Sequence, residues 1–235
     1  MSRILLCDDH EVFTGALAMA LQARGQDVVS VARSVPEALS EAARTLPDVV
    51  LMDLHFAQGP DGLAGIRALV AEVSPAPKMV LLTGSVDRRT LTDAVAAGAD
   101  GVVSKTEPLH VLLEAVERVA AGAFYADPEL LRGSLRPPSA ELDQVQLSAQ
   151  FLTPREREVL GRLVQGSSTG ELAQAMGVGV ATVRTHVQSV LSKLGVRSRL
   201  EAVSLAVAHG LFDPPQRRVP EQPENRHPVL RRGSA

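Results

Sequence analysis

Five short apolar runs punctuate the first half of the chain: Ile4-Leu5-Leu6-Cys7, Val28-Val29-Ser30-Val31, Val49-Val50-Leu51-Met52, Met79-Val80-Leu81-Leu82 and Gly101-Val102-Val103. They are rich in β-branched residues and nearly continuous in hydrophobicity, as strands buried on both faces of a parallel sheet should be. Helical patterns fill the gaps. In residues 11–24, Val12, Phe13, Ala16, Leu17, Ala20 and Leu21 fall on one helix face. Ser34-Val35-Pro36-Glu37 starts a second helix as a capping box, and Asp87–Ala97 stops at Gly98. Leu109–Ala121 stops at Gly122. This alternation implies an α/β doubly wound, five-stranded parallel sheet over residues 1–122.

The pattern then changes. Residues 123–150 hold Pro128, Pro137 and Pro138 and read as a linker with room for one short helix. Residues 151–212 are helical throughout. Thr153-Pro154-Arg155-Glu156 supplies an N-cap, a proline at N1 and a glutamate at N3, and Ser198-Arg199-Leu200-Glu201 is a further capping box. Between them a short helix near Glu171–Met176, the turn Gly177-Val178-Gly179 and a longer helix near Val180–Leu194 make a helix-turn-helix. Residues 213–235 have five prolines and few apolar side chains, the composition of a disordered tail.

Charge follows the same division. The net formal charge of −3 sums −6 over residues 1–125, −2 over 126–150, +3 over 151–212 and +2 over 213–235. An acidic half joined to a basic half points to two domains with different partners. Aromatic residues make up only 3%, which excludes a stacking platform for single strands. No apolar run approaches the ~20 residues of a membrane span, and Asp8 comes too early for a signal peptide. Cys7, the one cysteine, rules out a disulfide framework and reads as a small buried hydrophobe in a reducing, cytoplasmic setting.

Ligands of an open parallel sheet sit at the carboxyl ends of its strands. The first strand ends at Asp8 and Asp9, the third at Asp53, the fourth at Thr83 and the fifth at Lys105. A lone aspartate at a strand end is ordinarily a turn or cap residue, but five such positions on four strand ends form a coherent set. Three converging carboxylates call for a hard divalent cation, and carboxylate oxygens suit Mg²⁺. Lys105 and Thr83 would neutralise and hydrogen-bond a phosphoryl group during transfer. Asp53, flanked by Met52 and Leu54, is the candidate nucleophile.

Asp8-Asp9-His10, Leu51-Met52-Asp53-Leu54, Leu82-Thr83-Gly84 and Val103-Ser104-Lys105 resemble the motifs of a response-regulator receiver domain, whose fold is flavodoxin-like. The resemblance implies transfer to Asp53 from the phosphohistidine of a sensor histidine kinase. It implies Mg²⁺ held by Asp8, Asp9, Asp53 and the backbone carbonyl of His55, with Thr83 and Lys105 on the phosphoryl group. Three positions depart from the pattern. Val102 stands where the family carries an aromatic switch residue, Phe56–Gly62 replaces the usual Met-Pro loop, and Thr14 stands where arginine is common. Valine has no ring to swing behind a moving Thr83. His55 and Ser85, beside the acceptor and the threonine, are candidates for tuning acyl-phosphate lifetime.

Residues 151–212 resemble the LuxR/NarL/FixJ helix-turn-helix through Leu152-Thr153-Pro154-Arg155-Glu156, Thr182-Val183-Arg184-Thr185-His186-Val187 and Lys193-Leu194-Gly195-Val196. This implies an all-α four-helix domain that dimerises through its last helix, roughly Ser198–His209, and binds double-stranded promoter DNA. The helix near 180–194 would read the major groove with Arg184, Thr185 and Gln188, pairing Arg184 with guanine and Gln188 with adenine. Thr182, Lys193, Arg197 and Arg199 would hold phosphates. Ser168-Thr169-Gly170 lacks the family's usual lysine and Gly179 replaces its N-cap serine, which together imply weakened rather than lost DNA binding.

The whole describes a phosphorylation-controlled transcriptional regulator, not an enzyme beyond its own phosphotransfer and dephosphorylation, dimeric when active. Two rivals belong to other classes. One is a phosphorylation-independent DNA-binding regulator whose atypical receiver is a protein or ligand interaction module. The other is a phosphatase-type enzyme with an aspartyl nucleophile, which would need a carboxylate where His55 stands.

Overall fold

The computed structural model describes residues 1–126 and 151–212. The linker helix expected within 126–150 and the tail from 213 lie outside the described residues, apart from Ala126. In chain order the elements are β1 (Arg3–Cys7), α1 (Glu11–Ala23), β2 (Asp27–Ala32), α2 (Val35–Thr45), β3 (Val49–Asp53), α3 (Gly62–Glu72), β4 (Lys78–Thr83), α4 (Arg88–Ala97), β5 (Gly101–Ser104) and α5 (Leu109–Ala120). Four more helices follow, α6 (Pro154–Val164), α7 (Thr169–Met176), α8 (Val180–Leu194) and α9 (Arg199–Ala208).

The strands pair in parallel in the order β2-β1-β3-β4-β5. The strand order reverses at β1, which places the binding crevice beside the carboxyl ends of β1 and β3. Alternating side chains serve two cores. Leu5, Cys7, Val50, Met52, Met79, Leu81 and Val102 face the layer of α2, α3 and α4. Ile4, Leu6, Val49, Leu51, Val80, Leu82 and Val103 face α1 and α5. Each such side chain contributes about 1.5–3 kcal/mol on burial. The edge strand β2 is the exception to burial on both faces, because its residues Asp27–Ser30 are only partly covered.

Local chemistry fixes the element ends. Ser34 Oγ accepts from the Glu37 amide at the start of α2, and Asp87 caps α4 through the Thr90 amide. Gly98 closes α4 at φ 99°, a left-handed conformation that costs glycine no Cβ clash. Residues 123–126, read from the sequence as the start of the linker, instead belong to the sheet domain. The Val102 amide donates to the Tyr125 carbonyl at 2.9 Å, and Ala123 and Phe124 are buried.

In the helical domain, Thr153 and Glu156 form the expected reciprocal capping box, and Ser168 and Glu171 form a second. The buried face of α8 is Val183, Val187, Val190, Leu191 and Leu194, the face its periodicity marks. No helix among the described residues is long and apolar enough to cross a membrane.

Candidate functional site

The carboxyl ends of β1, β3 and β5 bring Asp8, Asp53 and Lys105 together. Asp8 follows β1 and Asp53 ends β3, and both are buried at 2% and 3% exposure. Lys105 Nζ lies 2.7 Å from Asp8 Oδ2 and 2.8 Å from Asp53 Oδ2, bridging two buried carboxylates. Burial pushes the Asp53 carboxyl above its ordinary range, Lys105 pulls it back, and the Asp8 charge adds to the rise. Asp9 lies at the rim, where the Ala57 amide donates to its Oδ2 at 2.8 Å and holds its carboxyl below the usual range.

This donor set fits a divalent cation. Ligand atoms of Asp8, Asp9, His10 and Asp53 lie within 4.8 Å of one another. Asp8 Oδ2 is ion-paired with Lys105 at 2.7 Å and Asp9 Oδ1 with His10 at 3.0 Å. Converging carboxylate oxygens with lone pairs to spare are what an oxygen-seeking cation takes up. The His55 side chain is exposed, and its backbone amide donates to the Asp53 carboxylate.

Thr83 is buried at the end of β4, with its hydroxyl donating to the Ser85 carbonyl at 3.0 Å. Val102 is 2% exposed and points into the core shared with α4, one residue out of phase with Val103. The ring that does meet this site is Phe13 of α1, whose centroid lies 5.1 Å from Lys105 Nζ. Phe13 was legible only as a core position of a helix. Gly62 is a second contributor that sequence reasoning passed over. A Cβ there would meet the Asp53 carbonyl oxygen at 1.9 Å, so α3 can approach β3 this closely only with glycine at this position. Cys7 is buried, its thiol is pushed up by burial, and it packs as the apolar residue its position suggested.

On the helical domain, Thr182, Arg184, Thr185 and Gln188 are exposed on one side of α8. Arg184, Thr185, Gln188, Ser189, Ser192 and Lys193 line a shallow groove. The remaining expected DNA contacts divide. Arg197 is exposed. Lys193 is partly engaged, 2.6 Å from Glu156 Oε2, and donates to the Phe151 carbonyl at 3.2 Å. Burial opposes ionisation of Glu156, but Lys193 and the Thr153 donors outweigh it and hold its carboxyl below the usual range.

Arg199 is turned inward rather than displayed with these residues. It is 7% exposed and donates to the Gly122 carbonyl of the sheet domain and, at 3.0 Å, to Thr169 Oγ1. The Thr169 amide donates to the Ala121 carbonyl at 3.2 Å, and Arg118 Nη2 reaches the Gly166 carbonyl at 3.4 Å. Helix α9, expected as a dimerisation helix, packs against α4. In this arrangement Arg199 joins the two domains.

An aspartate-lysine pocket at a sheet edge, followed by a helix-turn-helix with an exposed second helix, defines a receiver joined to a DNA-binding module. The chain matches the response regulator receiver domain over residues 4–117 and the luxR family of bacterial regulatory proteins over residues 150–206. It is 31% identical over 219 residues to the transcriptional regulatory protein LnrK of Bacillus subtilis, covering 90% of this chain and 99% of that protein. It is 32% identical over 216 residues to the response regulator protein VraR of Staphylococcus aureus, covering 89% of this chain and 98% of VraR. A crystal structure of a LuxR-family two-component response regulator from Aurantimonas sp. SI85-9A1 matches with a TM-score of 0.53 at 29% identity, covering 57% of this chain and 95% of that one. The chain therefore belongs to the two-component response regulators that couple a receiver to a LuxR-type helix-turn-helix, and it is a DNA-binding transcriptional regulator.

Proposed function

We propose that this regulator is switched by phosphorylation of Asp53. A sensor histidine kinase is the donor: the P–N bond of its phosphohistidine breaks, a P–O bond to an Asp53 carboxylate oxygen forms, and the imidazole leaves with a proton. The observation that carries this reading is the Lys105 ammonium set between Asp8 and Asp53. Asp8, Asp9, Asp53 and the His55 carbonyl are the groups that would hold Mg²⁺, which when bound supplies charge neutralisation at the phosphoryl oxygens. Lys105 exchanges its Asp53 contact for a phosphoryl oxygen, and the Thr83 hydroxyl turns from the Ser85 carbonyl to donate to another. These contacts strengthen as charge develops in transfer.

Phosphorylation then favours a homodimer, and two copies of α8 enter spaced major-groove half-sites of promoter DNA. Thr185 and Gln188 face the bases with Arg184, while Thr182, Lys193, Arg197 and, once the domains part, Arg199 face phosphates. The protein acts in the cytoplasm. Labelling with a phosphoryl donor and Mg²⁺ tests the acceptor: wild type should label and Asp53→Asn should not, and equal labelling of both would remove Asp53 from its role. For the DNA face, Arg184→Ala should relax discrimination at one base by about 1–3 kcal/mol. Arg197→Ala should weaken all sequences alike.

A second reading, control without phosphorylation, draws support from Val102, which is sealed in the core and carries no ring to relay a change at Thr83. Under that reading an acyl-phosphate donor leaves DNA affinity unchanged.

A further inference from the structure

Ser104 is a buried hydroxyl at the end of β5 to which phosphoryl transfer gives no part. It lies two residues after Val102, on the side of β5 turned toward α4, because side chains alternate along a strand. Lys105 points the other way, into the acceptor pocket. The side of β5 on which Val102 offers no ring thus offers a hydroxyl.

That hydroxyl is fully committed. Ser104 Oγ donates to the Gly84 carbonyl at 3.3 Å and lies 2.7 Å from Thr106 Oγ1. It also accepts from the Thr106 amide at 3.2 Å. A serine hydroxyl has one proton to give and two lone pairs to receive with. With its proton on Gly84, the Thr106 hydroxyl is the donor of the pair, so the chain runs from Thr106 through Ser104 to the Gly84 carbonyl. The next carbonyl along, that of Ser85, accepts from the Thr83 hydroxyl at 3.0 Å. Two hydroxyls from two strands therefore hold consecutive carbonyls of residues 84–86, the segment that leads from β4 to Asp87, the N-cap of α4. Gly84 and Ser85 are exposed, so burial does not hold them in place. Helix α4 in turn carries the packing of α9.

We propose that Thr83 and Ser104 form a two-hydroxyl latch on residues 84–86 that keeps α4 seated against α9 in the resting protein. The inference rests on the transfer to Asp53 proposed above, in which the Thr83 hydroxyl leaves the Ser85 carbonyl. That step opens one half of the latch. Ser104 is the other half, and its long bond to Gly84 gives way as the segment shifts. A bond made in the docked state and lost in the released one favours the docked state by its own net worth. Ser104 is thus a positioning residue that sets how much DNA affinity is withheld before phosphorylation.

The test uses the full chain without donor, on a duplex that wild type selects from a random pool, with affinity read by fluorescence anisotropy. Ser104→Ala and Ser104→Val both remove the hydroxyl, and valine also fills its space. Each should bind DNA roughly two- to tenfold more tightly than wild type before any donor is added, the span that one net hydrogen bond commands. Ser104→Thr keeps the hydroxyl and should stay at the wild-type value. All three should label with an acyl-phosphate donor at the wild-type rate and reach the wild-type affinity once labelled, so the gain on labelling shrinks in the alanine and valine variants alone. A general loss of structure would lower labelling and DNA affinity together and does not imitate this result. Wild-type affinity in donor-free Ser104→Ala and Ser104→Val overturns the latch and leaves control at Asp53 standing. Loss of labelling in those variants also overturns it, because the hydroxyl would then serve the acceptor pocket. If labelled wild type gains no DNA affinity, the Asp53 reading falls; tighter donor-free binding by Ser104→Ala and Ser104→Val still upholds the latch, and unchanged binding ends both.

Discussion

Lys105 is the cation that bridges the two buried carboxylates of Asp8 and Asp53. Without its ammonium, two buried carboxylates would face each other, and the already raised Asp53 carboxyl would rise further. In the proposed transfer the Asp53 carboxylate is the attacking form, so the rate of phosphorylation by a small acyl-phosphate donor should fall as pH drops through that raised value. In Lys105→Met the fall should begin at higher pH; identical profiles would contradict the pairing. The sign for stability is opposite. A folded-state value raised above the unfolded one means that protonating Asp53 favours the folded chain, so acidification through this range adds stability at this site. Phe13 belongs at this scale too. Its ring face beside Lys105 is worth about 0.5–2 kcal/mol, so Phe13→Leu should slow acyl-phosphate labelling roughly two- to thirtyfold while Phe13→Tyr stays near wild type. The five motif residues were legible because strand ends can be read from apolar runs. Phe13 was not, because helix periodicity reports which face is buried and says nothing of what lies opposite it.

Among the elements, most boundaries followed from capping chemistry. Ser34, Asp87, Thr153 and Ser198 each accept the amide that their spacing assigns them. Residues 123–126 escaped that logic. Their pairing with β5 is a backbone contact between segments that meet only after α5 folds back, and no side-chain pattern announces it. Gly62 is similar: its requirement comes from the approach of α3 to the Asp53 carbonyl, not from an unusual backbone angle of its own. Gly62→Ala should push α3 away from β3, cost about 1–3 kcal/mol of stability as overpacking does, and disturb the acceptor loop. Thermal unfolding and donor labelling measured on the same variant check both effects; unchanged values in both would mean that the close approach is not kept in solution.

At the scale of the whole molecule, the two domains are joined by hydrogen bonds to main-chain carbonyls at the end of α5 and by packing of α9 on α4. The sequence marked Arg199 as a phosphate contact because it is basic and lies in a helix-turn-helix signature. Composition cannot show that the same guanidinium is buried 77 residues away in sequence from its carbonyl partner at Gly122. Burial pulls its basicity down, which is the cost of holding a cation there. Arg199→Ala should loosen the docked arrangement, seen as a larger radius of gyration in small-angle X-ray scattering; an unchanged radius would show that the apolar contact of α9 with α4 suffices. An acidic receiver held against a basic DNA-binding domain also explains why the net charge of −3 describes neither half.

The central claim is that chemistry at Asp53 controls DNA binding through α8. The direct measurement is the affinity of the full chain for a duplex selected from a random pool, taken by fluorescence anisotropy with Mg²⁺ before and after addition of an acyl-phosphate donor. Wild type should bind more tightly after donor addition, and Asp53→Asn should show no change. Equal affinity with and without donor in wild type, in a preparation shown to be labelled, would contradict it.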